Sequence, residues 1–172
     1  YIFISFNDIN TKNKILFLFF LVSNIVFSEL KIHSSDIESE DNFGNQVATH
    51  KNWYVVASKL DDDNGIDSGS IYVYREFNSV LEEYKLSPSD GESGEYFGKS
   101  ISIYNNWIAV GAVYDDENGV KSGSVYMFKF NGEDWVEYQK ITAYDGEQYD
   151  RFSYALDLYD DLLVVGSIFD DD

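Results

Sequence analysis

From Lys99 to Val113 the chain reads KSISIYNNWIAVGAV, alternating apolar and polar residues up to a polar Asn105-Asn106 pair, with a short apolar run beyond it. Alternation at period two lays one face of a strand on a core, and a polar pair between two such runs marks a turn. GSVYMFKF at 123–130 alternates again, and WVEYQKITAY at 135–144 supplies a fourth strand. Asp-Gly-Glu at 90–92 and at 145–147 marks the exits. No helical period interrupts the series.

The same order of elements runs through the chain more than once. Residues 43–75 and 97–129 align without a gap and share 13 identities over 33 positions. They include Phe43/Phe97, Gly44/Gly98, Trp53/Trp107, Asp61/Asp115, Asn64/Asn118, Gly65/Gly119 and two Ser-Gly-Ser triplets. A third copy opens at Phe152 and reaches its acidic run at Asp170, giving periods of 54 and then 55 residues. Four strands per period is the pattern of a propeller blade. The expectation is an all-β chain, a partial β-propeller of about two and a half four-stranded antiparallel blades. Repeats are expected at about 36–89, 90–144 and 145–172, with Val56 and Val110 in equivalent buried positions. Residues 29–35, ELKIHSS, match EYKLSPS at 83–89 and predict an outer strand ahead of the first Phe-Gly.

These residues resemble the FG-GAP repeat family, found in integrin α-chain propellers and many secreted microbial proteins. The likeness rests on Phe97-Gly98, on Gly111-Ala112 with its counterparts Ala57-Ser58 and Gly166-Ser167, on the Asp-Asp turn and on the Gly-Ser-Val-Tyr strand. Val113 stands where the family's name-giving pattern has Pro. The resemblance covers residues 31–172 and implies a propeller used in recognition or adhesion. A closed propeller takes four to eight blades, so the chain is expected to be the N-terminal part of a longer protein.

Charge narrows the partners. The 172 residues carry 31 acidic and 12 basic side chains, a formal charge of −19, which argues against nucleic acid and anionic membrane. There is no Cys, so disulfides, thiolate metal sites and cysteine nucleophiles are absent. Lys12 and Lys14 precede an apolar run from Ile15 to Phe27, too short to span a bilayer core of roughly 30 Å with ease. Residues 1–28 read as a leader carrying a secretory signal peptide, with a mature start near Glu29; an uncleaved anchor or a buried apolar strand is the alternative. Residues 29–172 form the repeat region.

The acidic hairpins are the candidate chemistry. KLDDDNGID at 59–67 would offer calcium the side chains of Asp61, Asp63 and Asp67, with Asn64 or a backbone carbonyl completing the oxygens. The second copy offers Asp115, Glu117 and Asn118, with Lys121 in place of the late carboxylate. Gly65 falls one residue early for an alternate-spaced calcium loop, so a solvated hairpin whose Asn-Gly supplies the positive φ is the competing reading. GEYFGKS at 94–100 is one residue short of a phosphate-binding loop and leads into a strand, not a helix. His33 and His50 sit in different units, and no G-x-S-x-G elbow occurs. Trp53 and Trp107 fit core packing between blades or a ligand-stacking platform. No catalytic residue and no cofactor other than calcium is expected. The leading reading is a secreted or cell-surface, non-enzymatic module for an extracellular protein or glycan; the other is a propeller segment of an extracellular hydrolase.

Overall fold

The computed structural model describes residues 31–36, 38–78 and 80–171. Contacts divide the chain into Tyr1–His33 and Ser34–Asp172. The expected leader with its expected cleavage site, and most of the first unit, lie outside the described residues.

The second unit is built of strands because valine, isoleucine, tyrosine and phenylalanine alternate in short runs broken by turn residues. β1 (Phe43–His50), β2 (Trp53–Ser58), β3 (Ser70–Phe77) and β4 (Val80–Leu86) form one sheet in chain order. β5 (Phe97–Tyr104), β6 (Trp107–Ala112), β7 (Ser124–Phe130) and β8 (Trp135–Ile141) form a second. β9 (Ala155–Tyr159) and β10 (Leu162–Gly166) pair as a two-stranded third. Every pairing is antiparallel. The chain is all-β, with two four-stranded blades and half of another, and no helix occurs among the described residues. First strands lie side by side, β1 against β5 and β5 against β9.

The expected turns recur at equivalent places. β1–β2, β5–β6 and β9–β10 are joined by two-residue loops whose first residue has positive φ: Lys51 at 55°, Asn105 at 54° and Asp160 at 55°. Val56 pairs with Val47 and Tyr72, and Val110 with Ile101 and Tyr126, the same register in both blades. Both valines are buried. Of residues 29–35, expected in an outer strand, 29–30 lie outside the described residues and 31–35 lie outside regular structure; the four-stranded sheet of the first blade is made of β1–β4 alone.

Phe-Gly has a mechanical role. Phe97 pairs with Ala112 while Ser100 pairs with Gly111, so Gly98-Lys99 bulges out of the ladder. Gly98 takes φ 89°, and a Cβ there would come within 3.0 Å of the Ala57 methyl. The bulge lets the fully buried Phe97 ring turn onto Tyr126 and Phe128, at centroid distances of 5.6 and 6.0 Å. A single apolar core joins the first two blades through Val55, Ile71 and Val73 on one side and Ile101, Val110 and Phe128 on the other. Burying side chains of this size stabilises by about 1.5–3 kcal/mol each. The opposite face of the second blade (Ala109, Val125, Met127) packs on Leu158 of the third.

Candidate functional site

The acidic hairpin between β2 and β3 folds on itself before it meets anything else. The Gly65 N–H donates to Asp62 O at 3.0 Å, and the Gly69 N–H closes the loop on Asp61 O at 2.9 Å. Asp62 Oδ1 accepts the Asp67 N–H at 2.7 Å, an Asx-type bond that short acidic side chains favour. The second hairpin repeats these bonds through Asp115, Asp116, Gly119, Lys121 and Gly123.

Each hairpin is also a joint between blades. N–H groups of Gly94, Tyr96 and Phe97 donate to the carbonyls of Ile66, Asp67 and Ser68 at 2.8, 3.3 and 3.0 Å. Tyr149, Arg151 and Phe152 do the same to Val120, Lys121 and Ser122 at 2.8, 3.2 and 2.8 Å. Ser-Gly-Ser is needed here because a Cβ on Gly69 would sit 2.1 Å from Phe97 O, and one on Gly123 2.1 Å from Phe152 O.

Asp61 points inward, not at solvent. It is 3 % exposed; its Oδ1 accepts from Ser70 Oγ at 3.0 Å, and its Oδ2 lies 2.9 Å from the Tyr72 hydroxyl. Lys85 Nζ, arriving from β4, lies 3.0 Å from Asp61 Oδ2, 2.7 Å from Asp36 Oδ2 and 2.5 Å from Asp63 Oδ2. The second blade builds the same node from Lys140 with Asp115 (2.8 Å), Asp90 (2.9 Å) and Glu117 (3.1 Å), beside Tyr126. Burial by itself would lower both ammonium pKa values, but the carboxylates around them hold both well above the usual lysine range. Burial likewise works against Asp36 and Asp90, yet hydrogen bonds from lysine and tyrosine keep both below the usual carboxylate range. Tyr72 and Tyr126 are pushed far up, first by burial and then by their carboxylate partners.

Of the residues expected to hold calcium, Asp61 and Asp63 converge in one blade and Asp115 and Glu117 in the other. Asp67 does not join them: its backbone is engaged by Asp62 and Tyr96. Asn64 is exposed, and Asn118 ties its amide to Ala143 O at 2.9 Å. The point the carboxylates share is filled by a lysine ammonium, so this donor set does not fit a metal ion. Among the described residues, no group of three or more His, Asp or Glu is arranged to hold one. Sequence reasoning missed Asp36, Tyr72 and Lys85 with their counterparts Asp90, Tyr126 and Lys140. Asp36/Asp90 recur 54 residues apart just before the aligned segment and Tyr72/Tyr126 within it, but Lys85 and Lys140 are 55 apart, so a gap-free extension pairs Lys85 with Gln139 and the lysines match only after the one-residue bulge in the β7–β8 pairing is allowed for.

A model of the FG-GAP repeat matches residues 27–74, 80–128 and 135–172. The chain belongs to the FG-GAP repeat family. A comparison with curated proteins gave no match. The FG-GAP name-giving pair is the bulge at Phe43-Gly44 and Phe97-Gly98, and in the third copy Ser153 takes the glycine's place at φ 75°.

The remaining candidates fall into the FG-GAP scaffold. Gly98-Lys99-Ser100 belongs to the bulge and to the start of β5. His50 stacks on Tyr104 at 4.7 Å. Trp53 is core, packed on Phe130 and Trp135 of the next blade at 4.9 and 5.1 Å. Trp107, its counterpart, packs edge-on to Tyr138 at 4.9 Å and borders a cleft of about 360 Å³ with Met127, Leu158 and Leu163. No helix among the described residues is long and apolar enough to cross a membrane.

Proposed function

We propose that the chain is a secreted or cell-surface, non-enzymatic propeller segment that binds an extracellular protein or glycan. The observation that carries this reading is the recurrence of the buried carboxylate clusters at equivalent positions of both blades. Asp61 and Asp115 each hold a serine, a tyrosine and a lysine. Asp41, Glu95 and Asp150 each accept an N–H from three residues upstream, at 2.7, 2.9 and 2.6 Å. Acid–base catalysis needs two groups held in unlike environments, whereas these are repeated and satisfied within the scaffold. Membership in the FG-GAP family supports an extracellular recognition role, and the net charge of −19 argues against nucleic acid and anionic membrane as the partner.

Two measurements test it. The purified chain, probed against immobilised extracellular proteins and glycans, should bind a defined subset; binding to none would end the recognition reading. Expressed with an initiating Met in a eukaryotic secretory host, the product should begin near Glu29. A secreted product that begins before Ile15 would remove the signal peptide from the argument.

A further inference from the structure

The sequence holds three Asn-Gly pairs: Asn64-Gly65, Asn118-Gly119 and Asn131-Gly132. With no Cβ on the glycine, its amide nitrogen can approach the preceding asparagine Cγ more freely than that of any other residue. All three asparagines are exposed, yet the fold holds the pairs differently.

In the two acidic hairpins the glycine nitrogen is engaged. The Gly65 and Gly119 N–H groups donate to the Asp62 and Asp116 carbonyls, both at 3.0 Å. A Cβ on Gly65 would meet Ser93 Oγ at 2.4 Å and one on Gly119 would meet Gln148 Cβ at 3.4 Å, so both lie against the next blade. Asn118 is tied again through its amide, which donates to Ala143 O at 2.9 Å. Gly132, in the turn between β7 and β8, is open. Its N–H has no acceptor among the described residues, and a Cβ there would meet nothing within 4 Å. Asn131 Oδ1 accepts the N–H groups of both Glu133 and Asp134, at 2.9 Å each. The Asn131 N–H donates to Asp134 O at 3.0 Å and keeps the turn closed around that oxygen. The scaffold does not ask for this longer turn, because the first blade joins β3 to β4 through residues 78–79 alone.

We infer that Asn131-Gly132 is a site of spontaneous deamidation for which the turn supplies its own oxyanion support. The Gly132 nitrogen gives its proton to solvent base and bonds to Asn131 Cγ. Negative charge passes to Oδ1, where the Glu133 and Asp134 N–H groups already point. Donors placed in advance stabilise such a charge without reorganising when it forms. Collapse of the intermediate breaks the Cγ–Nδ2 bond and expels ammonia, leaving a succinimide. Water then opens the ring at either carbonyl, to aspartate or to isoaspartate; water enters, ammonia leaves and nothing is oxidised. Isoaspartate lengthens the backbone by a methylene between Phe130 and Trp135. Those rings pack on Trp53 of the first blade at 4.9 and 5.1 Å, so ageing at this turn loosens the junction between the blades.

Mass-spectrometric peptide mapping of the purified chain, aged in mildly alkaline buffer with and without urea, tests the assignment. In the folded chain Asn131 should convert at least about tenfold faster than Asn64 and Asn118, since one well-aimed donor to an oxyanion is worth about 10²–10³ in rate. In urea the pairs are the same dipeptide on an unfolded chain, and the three rates should converge. Asn131→Gln, whose longer side chain disfavours ring closure, should keep its melting temperature through an ageing period that lowers that of the unaltered chain. Equal rates in the folded chain, or an Asn131 slower than the other two, would overturn the proposal. The same lead for Asn131 in urea would assign it to sequence neighbours and remove the oxyanion support. An equal fall in melting temperature for Asn131→Gln would separate ageing of the junction from this turn.

Discussion

Lys85 and Lys140 are half-buried cations on which three carboxylates converge, and removing one leaves like charges facing one another. Asp61 and Asp115 are the buried members, at 3 % and 0 % exposure, and cannot relax into water. Lys140→Met should therefore destabilise the chain by about 2–4 kcal/mol, short of a fully buried pair because the other two carboxylates are solvated. Urea unfolding would read it, and a loss under half a kcal/mol would reduce the node to a surface ion pair. Glu95 gives a second prediction at this scale. Burial, then the nearby Asp115 charge, pushes its carboxyl up to about 7 from an ordinary 4.5, against the Glu92 N–H and Lys140, which act the other way. Between those two values the folded state binds more protons than the unfolded chain, so Glu95 makes stability fall as pH rises from 4.5 to 7 and level off above. Glu95→Gln keeps the acceptor for the Glu92 N–H and removes the charge. It should raise stability above neutral pH and flatten that part of the pH profile. Equal slopes for both proteins would show that Glu95 ionises freely.

Strand order, turn positions and the equivalence of Val56 with Val110 were legible because each follows from local alternation and a fixed period. The role of the acidic hairpin was not. Its sequence shows carboxylates on a turn, which suggests ligands facing solvent. Asp61 faces inward because Ser70 and Tyr72 are brought beside it by the β2–β3 pairing. Lys85 reaches it only because β4 is the next strand over, 22 residues along the chain from Asp63. Such a node depends on topology, which a local spacing rule does not contain. The hairpin's function as a joint predicts a contrast between two glycines. Gly69 and Gly94 both have positive φ, at 88° and 84°, but a Cβ on Gly69 meets Phe97 O while one on Gly94 meets nothing within 4 Å. Gly94→Ala should cost about 1 kcal/mol, the backbone strain alone. Gly69→Ala should cost about 2 kcal/mol more, because the second blade's entry strand must move away. Equal losses in thermal unfolding would mean the hairpin does not set the spacing between blades.

At the scale of the whole molecule, a charge of −19 makes any divalent cation a general stabiliser, so the response to calcium has to be separated from screening. The lysines supply that separation. If each ammonium stands where a metal would otherwise sit, the unaltered chain should unfold at the same temperature in millimolar calcium and in chelator once monovalent salt is near 0.15 M. Lys85→Ala with Lys140→Ala would leave Asp36, Asp61 and Asp63 in one node, and Asp90, Asp115 and Glu117 in the other, converging without a counterion. That variant should be less stable in chelator and recover with calcium, by about 1.4 kcal/mol when the ion is at ten times its dissociation constant. Magnesium should recover less, because it demands octahedral geometry and gives up water reluctantly. A calcium-dependent midpoint in the unaltered chain, lost on Asp63→Ala with Asp67→Ala, would reverse the conclusion and return the first hairpin to a calcium loop. Without that dependence, the two blades carry their cations on their own fourth strands.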